Sequence, residues 1–417
     1  MNWKGFYAVC FWILCFEFLR PDAAALDLAT ERGKVFCGYQ GWFRAEGDGT
    51  GLGWVHYGPG KKMGPGNCTF DLWPDLSEFG PSERFASPFR FRDGRVAELF
   101  SSVHPDTVRR HFRWMREYGI DGAFVQRFGT VLSAAPLRPS ADRVLELALS
   151  AAESEGRMLG LMYDLTNLNE AQFPVVLQDW RTLMAGGLAE RACFPRYNGR
   201  PLVAVFGLGF ARQPASAAAW RTLLKGFQDT HCAVLVGVPA FWRTATRDAD
   251  PDPAFLEMAG EADVLMPWTV GRMRDARSTE TVAREVWGPD IAWCRERRKG
   301  YLPTLFPGFS WHNLSKTRGV DAALDAIPRQ GGRFLWKQAV ESKRAGADHV
   351  YIAMFDEVDE GTAIFKCGGE RPIGGSPFVD LSDEPSDHYL WLSGQTGRLL
   401  RGEIDAGELP PGRPSAR

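Results

Sequence analysis

The sequence carries almost no net charge: 49 Lys and Arg residues against 51 Asp and Glu residues leave a formal charge of −2 over 417 residues. Binding a phosphate backbone or an anionic membrane surface needs excess positive charge, so neither nucleic acid nor such a membrane is indicated as a partner. The sequence also lacks a CxxC pair and any Cys/His cluster with zinc spacing. No Gly-rich phosphate turn follows the first predicted strand. We therefore expect no cofactor and no dedicated metal centre.

Long apolar runs are absent after the N-terminus. Residues 6–19 are apolar but for one acid, Lys4 supplies the preceding positive charge, and Ala23-Ala24-Ala25 offers small residues for cleavage. This pattern predicts a signal peptide over residues 1–25, a mature chain without a membrane span, and a secreted or periplasmic protein. An uncleaved membrane anchor is the alternative, although the run is short for a spanning helix.

Six cysteines remain beyond the predicted signal peptide, and export permits disulfides. Cys37 with Cys68 is a plausible local pair, but spacing cannot fix connectivity. Cys37, Cys232 and Cys294 lie in apolar contexts that equally suit buried free thiols.

Short apolar runs alternate with amphipathic segments from residue 30 onward, and eight such runs can be counted. The amphipathic segments predict helices at residues 105–118, 141–155, 216–227, 279–297 and 334–345, and residues 388–400 would form the eighth helix. Continuous apolar strands that alternate with helices predict a parallel sheet covered on both faces, and eight of them predict a (β/α)8 TIM barrel. An open doubly wound sheet and two smaller α/β domains are the alternatives; no Pro/Ser linker divides the chain. The runs are Val35–Phe43, Gly122–Phe128, Met158–Leu165, Leu202–Gly209, Ala233–Trp242, Val264–Val270, Leu302–Phe309 and Val350–Phe355.

The predicted barrel domain covers residues 26–402 and carries long loops at the C-terminal rim of its strands. Residues 44–103 are too long for a plain turn and are typical of a loop that covers a substrate, and residues 366–387 form a second loop. Residues 403–417 are polar and Pro-rich, which predicts a disordered tail.

Candidate site residues follow the ends of the predicted strands, because the active site of such barrels lies at that rim. The sequence has 15 Trp residues, and flat aromatic rings pack well on the C–H faces of sugars. The three arginines of the set are equally consistent with ion pairs to the acidic cluster at residues 356–360 and with substrate contacts. The strand-end candidates are Tyr39, Trp42, Gln126, Arg127, Tyr163, Asp164, Trp242, Arg243, Trp268, Arg272, His312 and Asn313, and the long loop adds His56 and Asp71.

The eighth predicted strand runs directly into an acidic cluster, Asp356-Glu357-Val358-Asp359-Glu360. Neighbouring carboxylates raise the pKa of one carboxyl group and leave another ionised. Glycoside cleavage uses this division, with one group as acid and the other as base or nucleophile. Capping of a helix N-terminus and a metal site are the competing interpretations.

Four motifs resemble those of bacterial proteins grouped with glycoside hydrolase families 71 and 99, the second of which contains the endo-α-mannosidases. The resemblance covers roughly residues 30–400, and its first and last motifs are the most specific. The motifs are Tyr39-Gln40-Gly41-Trp42-Phe43, Gly53-Trp54-Val55-His56-Tyr57, Phe306-Pro307-Gly308-Phe309-Ser310-Trp311-His312-Asn313 and Phe355-Asp356-Glu357-Val358-Asp359-Glu360-Gly361-Thr362.

The resemblance implies a retaining reaction without a protein nucleophile. The endo-α-mannosidases end strand eight in Asn-Glu-Trp-His-Glu-Gly-Thr, which this chain matches at both glutamates and at Gly-Thr. Glu357 would then take the proton of the sugar 2-OH, and Glu360 would be the general acid/base. Tyr39, His56 and Asp356 would contact sugar subsites. Asp356, Val358 and Asp359 depart from the pattern, which implies a related subgroup with another substrate.

The sequence therefore predicts a glycoside hydrolase that cleaves α-linkages of an extracellular oligo- or polysaccharide. A non-catalytic glycan-binding barrel is the first alternative. A metal-dependent hydrolase or lyase that uses residues 356–360 is the second.

Overall fold

Twelve strands are present in the computed structural model, which describes residues 26–413 of the chain. The long parallel strands are mostly continuous apolar runs with almost no exposed side chain, as strands covered on both faces require. The strands β2 and β3 instead alternate buried and exposed residues. The strands are β1 (Lys34–Tyr39), β2 (Phe85–Arg90), β3 (Val96–Leu99), β4 (Gly122–Phe128), β5 (Met158–Asp164), β6 (Arg196–Tyr197), β7 (Arg200–Phe206), β8 (Ala233–Pro239), β9 (Val264–Trp268), β10 (Gly300–Tyr301), β11 (Thr304–Leu305) and β12 (His349–Ile352).

Eight barrel positions close into a ring of parallel strands, in the order β1-β4-β5-β7-β8-β9, then β10 and β11, then β12 and back to β1. The seventh position is made of two short pieces, since β10 pairs with β9 and β11 pairs with β12. Backbone hydrogen bonds from Leu302 N to Leu265 O (2.9 Å) and from Tyr351 N to Pro303 O (3.0 Å) bridge both sides. The predicted (β/α)8 barrel is confirmed.

Helices cover the outside of the barrel. The predicted helices at 105–118 and 388–400 have the expected bounds, and the predicted helix at 279–297 is interrupted by a π-turn at Ala283–Trp287. A helix not predicted from the sequence follows β5. The helices are α1 (Pro105–Tyr118), α2 (Gly129–Leu132), α3 (Arg138–Glu155), α4 (Phe173–Ala185), α5 (Ala217–Gln228), α6 (Pro253–Ala259), α7 (Ala276–Val282), α8 (Gly288–Glu296), α9 (His312–Thr317), α10 (Arg333–Ala345) and α11 (His388–Leu400).

The long segment 44–103 folds over the rim of the barrel as an ordered layer. It contains the antiparallel hairpin β2–β3 and buries its own aromatic side chains, among them Trp54, Tyr57 and Phe70. Backbone hydrogen bonds from Asp71 N and Leu72 N to Val358 O (3.0 and 3.3 Å) fasten it beside the end of β12. The segment therefore forms part of the walls around the strand ends.

Of the two interpretations left open for the cysteines, the structure has the buried free thiols: Cys37 and Cys68 are both free and buried, and they do not form the plausible local pair. Cys37 Sγ lies 3.6 Å from Gly122 O on the neighbouring strand, and Cys68 Sγ lies 3.2 Å from Ser376 Oγ. The two sulfur atoms thus have different surroundings. Burial raises the pKa of both thiols.

The structure describes part of the C-terminal tail but not the residues of the predicted signal peptide. The predicted signal peptide, residues 1–25, lies outside the described residues, as do residues 414–417. Within the described tail, Trp336 Nε1 on α10 donates a hydrogen bond to Gly407 O (2.9 Å). None of the helices in residues 26–413 has the length and apolar character that a membrane crossing requires.

Candidate active site

The C-terminal ends of the barrel strands open into a cavity of about 890 Å³. Eight of the predicted site residues line it. Four lie in the last residues of strands, two come from the segments after β1, and two belong to the acidic cluster. They are Gln126, Arg127, Asp164 and Trp268, then Trp42 and His56, and finally Glu357 and Glu360.

Glu357 is held rigidly at the cavity by two neutral donors. Gln40 Nε2 donates to Oε1 (2.8 Å), and Thr362 Oγ1 donates to Oε2 (2.6 Å). Only 5% of the residue is exposed. Burial, and then the charge of Glu360, raise the pKa of Glu357 well above its usual value, while the two hydrogen bonds act in the opposite direction. The carboxyl group is therefore fixed in position by donors that stabilise its ionised form.

Glu360 differs from Glu357 in its contacts. It is half-buried, and no side-chain hydrogen bond to its carboxyl group comes from the described part of the chain. Burial, and then the charge of Asp359, raise the pKa of Glu360 to about 7, against a smaller opposing effect of Arg318. Because the charge of Glu360 acts on Glu357, the two carboxyl groups titrate as a pair.

Asp356 does not line the cavity but holds the backbone next to Glu357 in place. Its Oδ1 accepts a hydrogen bond from Gln40 N (2.7 Å), and its Oδ2 accepts one from Gly41 N (2.9 Å). The residue is fully buried, and burial raises the pKa of its carboxyl group to about 7. Asp356 thus joins the end of β12 to the end of β1, and this places the Gln40 side chain against Glu357. The predicted sugar contact of Asp356 is replaced by a supporting role.

Aromatic rings form two parts of the cavity wall. The rings of Trp42 and His56 are stacked, with their centroids 3.8 Å apart and an angle of 5° between their planes. The ring centroid of Phe128 lies 5.1 Å from that of Trp42. On β9, Trp268 meets Phe206 edge to face at 5.1 Å. A sugar in the cavity can therefore contact flat apolar surface as well as carboxylates.

His56 connects the aromatic wall to the acidic cluster. Its Nδ1 lies 3.1 Å from Asp359 Oδ2. Asp359 also lines the cavity and is only 3% exposed. Its second oxygen, Oδ1, is buried without a hydrogen-bond partner among residues 26–413.

Asp71, His312 and Asn313 form a hydrogen-bond network outside the cavity. Asp71 is fully buried and accepts hydrogen bonds from Ser310 Oγ (2.6 Å), His312 N (2.6 Å), and Asn313 N and Nδ2 (2.9 and 2.8 Å). The Nδ1 of His312 lies 2.6 Å from Ala322 O. These contacts tie the long segment 44–103 to the end of the seventh strand, so the three residues shape the rim and do not face its opening.

The two predicted tyrosines are also buried in structural contacts. Tyr39 Oη lies 3.0 Å from His111 Nδ1, and Tyr163 Oη donates to Asp179 Oδ2 (2.7 Å). Neither residue lines the cavity. Their side chains point between the strands and the covering helices.

The hypothesis that the predicted arginines pair with the acidic cluster is wrong. Each arginine has a closer acid of its own: Arg127 pairs with Asp179 (2.6 Å) and Asp142 (2.7 Å), Arg243 with Asp290 (2.7 Å), and Arg272 with Asp248 (2.8 Å). Asp290 also accepts the Trp242 Nε1 hydrogen bond (2.8 Å), which places Trp242 in a buried network away from the cavity. Only Arg127 of these residues lines the cavity.

Sequence reasoning missed the roles of several residues. Gln40 and Thr362 lie inside two of the quoted motifs, which was the available indication of their importance. The pairing of Asp179 with Arg127 depends on the packing of α4 against β4, and its position outside every motif gave no indication. Arg318, just after α9, also reaches the cavity.

No set of three His, Cys, Asp or Glu side chains in residues 26–413 converges in a way that could hold a metal ion. Within the acidic cluster the reason is visible. Asp356 faces backbone N–H groups, Glu357 faces Gln40 and Thr362, and Asp359 faces His56.

Fold and site together define a (β/α)8 barrel with a coupled pair of carboxyl groups at an open cavity on its C-terminal rim. No family model matches the sequence, and no curated protein matches it. Among solved structures, the GH99 endo-α-mannosidase from Bacteroides thetaiotaomicron in complex with bis-tris propane has a TM-score of 0.65 and 15% identity, over 90% of this chain and 99% of that chain. A second structure of the GH99 endo-α-mannosidase from this organism has a TM-score of 0.63 and 15% identity, and the match covers 90% of this chain and 100% of that chain. The resemblance indicated by the motifs is confirmed in the fold.

Proposed function

We propose that this protein is a glycoside hydrolase that cleaves α-linkages in an oligo- or polysaccharide outside the cytoplasm. The observation that carries the proposal is the Glu357–Glu360 pair, whose carboxyl groups face one cavity but have different partners. The resemblance in fold to a GH99 endo-α-mannosidase supports it. Export rests on the pattern of residues 1–25.

The different partners of the two glutamates support a division of roles. Two hydrogen bonds favour the ionised form of Glu357, whereas no side-chain hydrogen bond from residues 26–413 reaches the carboxyl group of Glu360, on which the charge of Arg318 acts more weakly. Although burial raises the pKa of both carboxyl groups, we therefore assign the proton of the pair to Glu360. An ionised Glu357 can serve as a base, and a protonated Glu360 with a pKa of about 7 can serve as an acid near neutral pH.

The proposed reaction retains the anomeric configuration through the sugar 2-OH. Glu357 takes the 2-OH proton while O2 attacks the anomeric carbon, and Glu360 protonates the glycosidic oxygen as its bond to that carbon breaks. In the second step, Glu360 takes a proton from water, the water oxygen attacks the anomeric carbon, and the bond to O2 opens. Glu357 then returns its proton to O2. Both glutamates end the cycle as they began.

The walls of the cavity suit a sugar chain. Its volume of about 890 Å³ is in the range of pockets that enclose most of a ligand. Trp268 and the stacked rings of Trp42 and His56 offer flat apolar surface, and Gln126 and Asp164 offer polar groups on the second and third strands. These residues are the proposed substrate contacts, whereas Arg127 is held by its own acids.

The test is a hydrolysis screen of the purified protein against α-linked mannans, glucans and branched polysaccharides, with Glu360→Gln as the matched inactive variant. Release of sugar by the wild type and not by the variant would establish the proposal. Binding of a glycan with no release by either protein would instead establish a glycan-binding barrel. Activity that is abolished by EDTA and restored by a divalent ion would favour the metal-dependent alternative.

A further inference from the structure

The wall of the cavity beside the two glutamates presents hydrogen-bond acceptors that lack donors. Asp359 Oδ1 is buried without a partner among residues 26–413, and so is Gln40 Oε1, whose amide nitrogen is occupied by Glu357. Both residues line the cavity and are at least nine-tenths buried. A buried acceptor without a donor costs free energy, and a charged one costs more. Two donors of residues that line the same cavity, Trp42 Nε1 and Arg44 Nε, also lack partners in that range of residues. It is therefore the charged oxygen of Asp359, and not the wall as a whole, that favours a ligand with donors and positive charge.

The positive charges of the protein do not meet this need. Arg44 Nη1 donates to the backbone oxygens of Gly41 (2.8 Å) and Phe43 (3.0 Å). Arg127 and Arg138 are both paired with Asp179. These three arginines line the cavity, but none of them donates to Asp359 Oδ1 or Gln40 Oε1. Arg44 Nε is itself buried without a partner among residues 26–413.

The two remaining cationic candidates also leave Asp359 Oδ1 without a donor. His56 binds the other oxygen of that carboxylate, Oδ2. Arg318 is exposed, and its positive charge acts on Glu360, whose pKa it lowers. The buried carboxylate of Asp359 is thus only half satisfied by the described chain.

We propose that Asp359 selects a substrate that carries a positively charged amino group, so that the natural glycan contains an amino sugar without an N-acetyl group. An ammonium group has three donors and no acceptor, whereas a hydroxyl group brings one donor and two acceptors. A wall with unmet acceptors is therefore matched better by the ammonium group. Charge assistance makes such a hydrogen bond roughly twice as strong as a neutral one.

The inference rests on the proposed function in one respect, the position of the amino group. Glu357 needs the 2-OH of the sugar whose bond is cleaved. The amino group therefore stands at another carbon of that ring or on the neighbouring sugar.

The experiment measures binding alone, so that its outcome is independent of turnover. Calorimetry on Glu360→Gln protein would compare three matched ligand series, each in the gluco and manno configurations. The series are the methyl α-glycosides of 3-, 4- and 6-amino-deoxyhexoses, their N-acetyl derivatives and the parent hexosides. At least one amine is expected to bind about tenfold more tightly than its N-acetyl and hydroxyl counterparts.

The matched variant adds Asp359→Asn, which keeps the shape of the side chain and an oxygen that can accept from His56. It should abolish the preference for the amine while changing the affinity for the parent hexoside less than about threefold. Asp229→Asn, at an exposed position just after α5 and with the same change of charge, should leave the preference intact. It controls for net charge.

Two results would overturn the inference: equal affinity for amine, N-acetyl and hydroxyl ligands, or an amine preference that survives Asp359→Asn. The wild-type cavity with intact Glu360 gives the same comparison if the variants do not fold. Hydrolysis of neutral glycans without any amine preference would overturn this inference and leave the proposed function standing. An amine preference in a protein without hydrolytic activity would support this inference and overturn the proposed function.

Discussion

Thr362 Oγ1 donates a hydrogen bond of 2.6 Å to Glu357 Oε2, and both residues are buried at the end of the eighth strand. The bond stabilises the ionised carboxylate, which is the form that a base requires. Thr362→Val removes the hydroxyl group and keeps the shape, so it should raise the pKa of Glu357. Since a hydrogen bond to a charged group contributes about 1.5 kcal/mol, the acidic limb of the kcat/KM–pH profile should move up by about one pH unit.

Thr362→Ser is the matched control, because it keeps the donor and loses only a methyl group. Its acidic limb should coincide with that of the wild type. A shift as large in Thr362→Ser as in Thr362→Val would show that packing, and not the hydrogen bond, is responsible.

The two glutamates should respond differently to the quality of the leaving group. Glu360→Gln should lower kcat/KM roughly a hundredfold to ten-thousandfold on natural glycans and regain most of it on aryl glycosides with activated leaving groups, because departure of these groups needs no protonation. Glu357→Gln should remain slow on both, because deprotonation of the 2-OH is needed in either case. The measurement is kcat/KM on one natural and one activated substrate.

Glu257→Gln, at an exposed position on α6 with the same chemical change, is the control and should retain wild-type rates. Equal recovery of both active-site variants on the activated substrate would contradict the assigned roles.

The alkaline limb of activity should report the acid. Because Glu360 acts in its protonated form and its pKa is about 7, kcat/KM should fall as the pH rises through about 7. The charge of Asp359 contributes to that raised pKa, so Asp359→Asn should lower the pKa of Glu360 and move the alkaline limb to lower pH. An unchanged or upward-shifted limb in this variant would show that Asp359 does not act on Glu360. The observed midpoint belongs to the Glu357–Glu360 pair as a unit.

The barrel could be predicted because its strands carry their own signature. Strands buried on both faces are continuous apolar runs, so β4 was predicted with the bounds found, and α11 followed from its helical period. The helix α4 was missed, although Pro174 stands in its first turn, where proline is well tolerated. The seventh strand is split into β10 and β11 by the way in which it joins its two neighbours, a property of closure that no single segment reveals.

The site could be predicted only from the expectation that the active site of a (β/α)8 barrel lies at the C-terminal ends of its strands. Glu357 and Glu360 follow a strand directly and do line the cavity. The partners that decide their behaviour are distant in sequence: Gln40 lies 317 residues from Glu357, and His56 lies 303 residues from Asp359. Asp71, likewise, turns away from the cavity because it binds the backbone of His312, 241 residues further on. Such contacts follow from tertiary packing, which local patterns do not encode.

The pairing of Arg127 with Asp179 makes a prediction about stability at the cavity wall. Both side chains are at most 5% exposed, and two hydrogen bonds of 2.6 Å join them. Asp179→Asn keeps the size of the side chain but leaves a buried guanidinium group without its main counter-charge, which should cost about 3 kcal/mol. Asp142→Asn removes the other partner of Arg127, whose carboxylate is 47% exposed, and should cost less than about 1 kcal/mol. Urea denaturation with an unchanged m-value measures both. Similar losses in the two variants would mean that burial of the Arg127–Asp179 pair does not set its energetic importance.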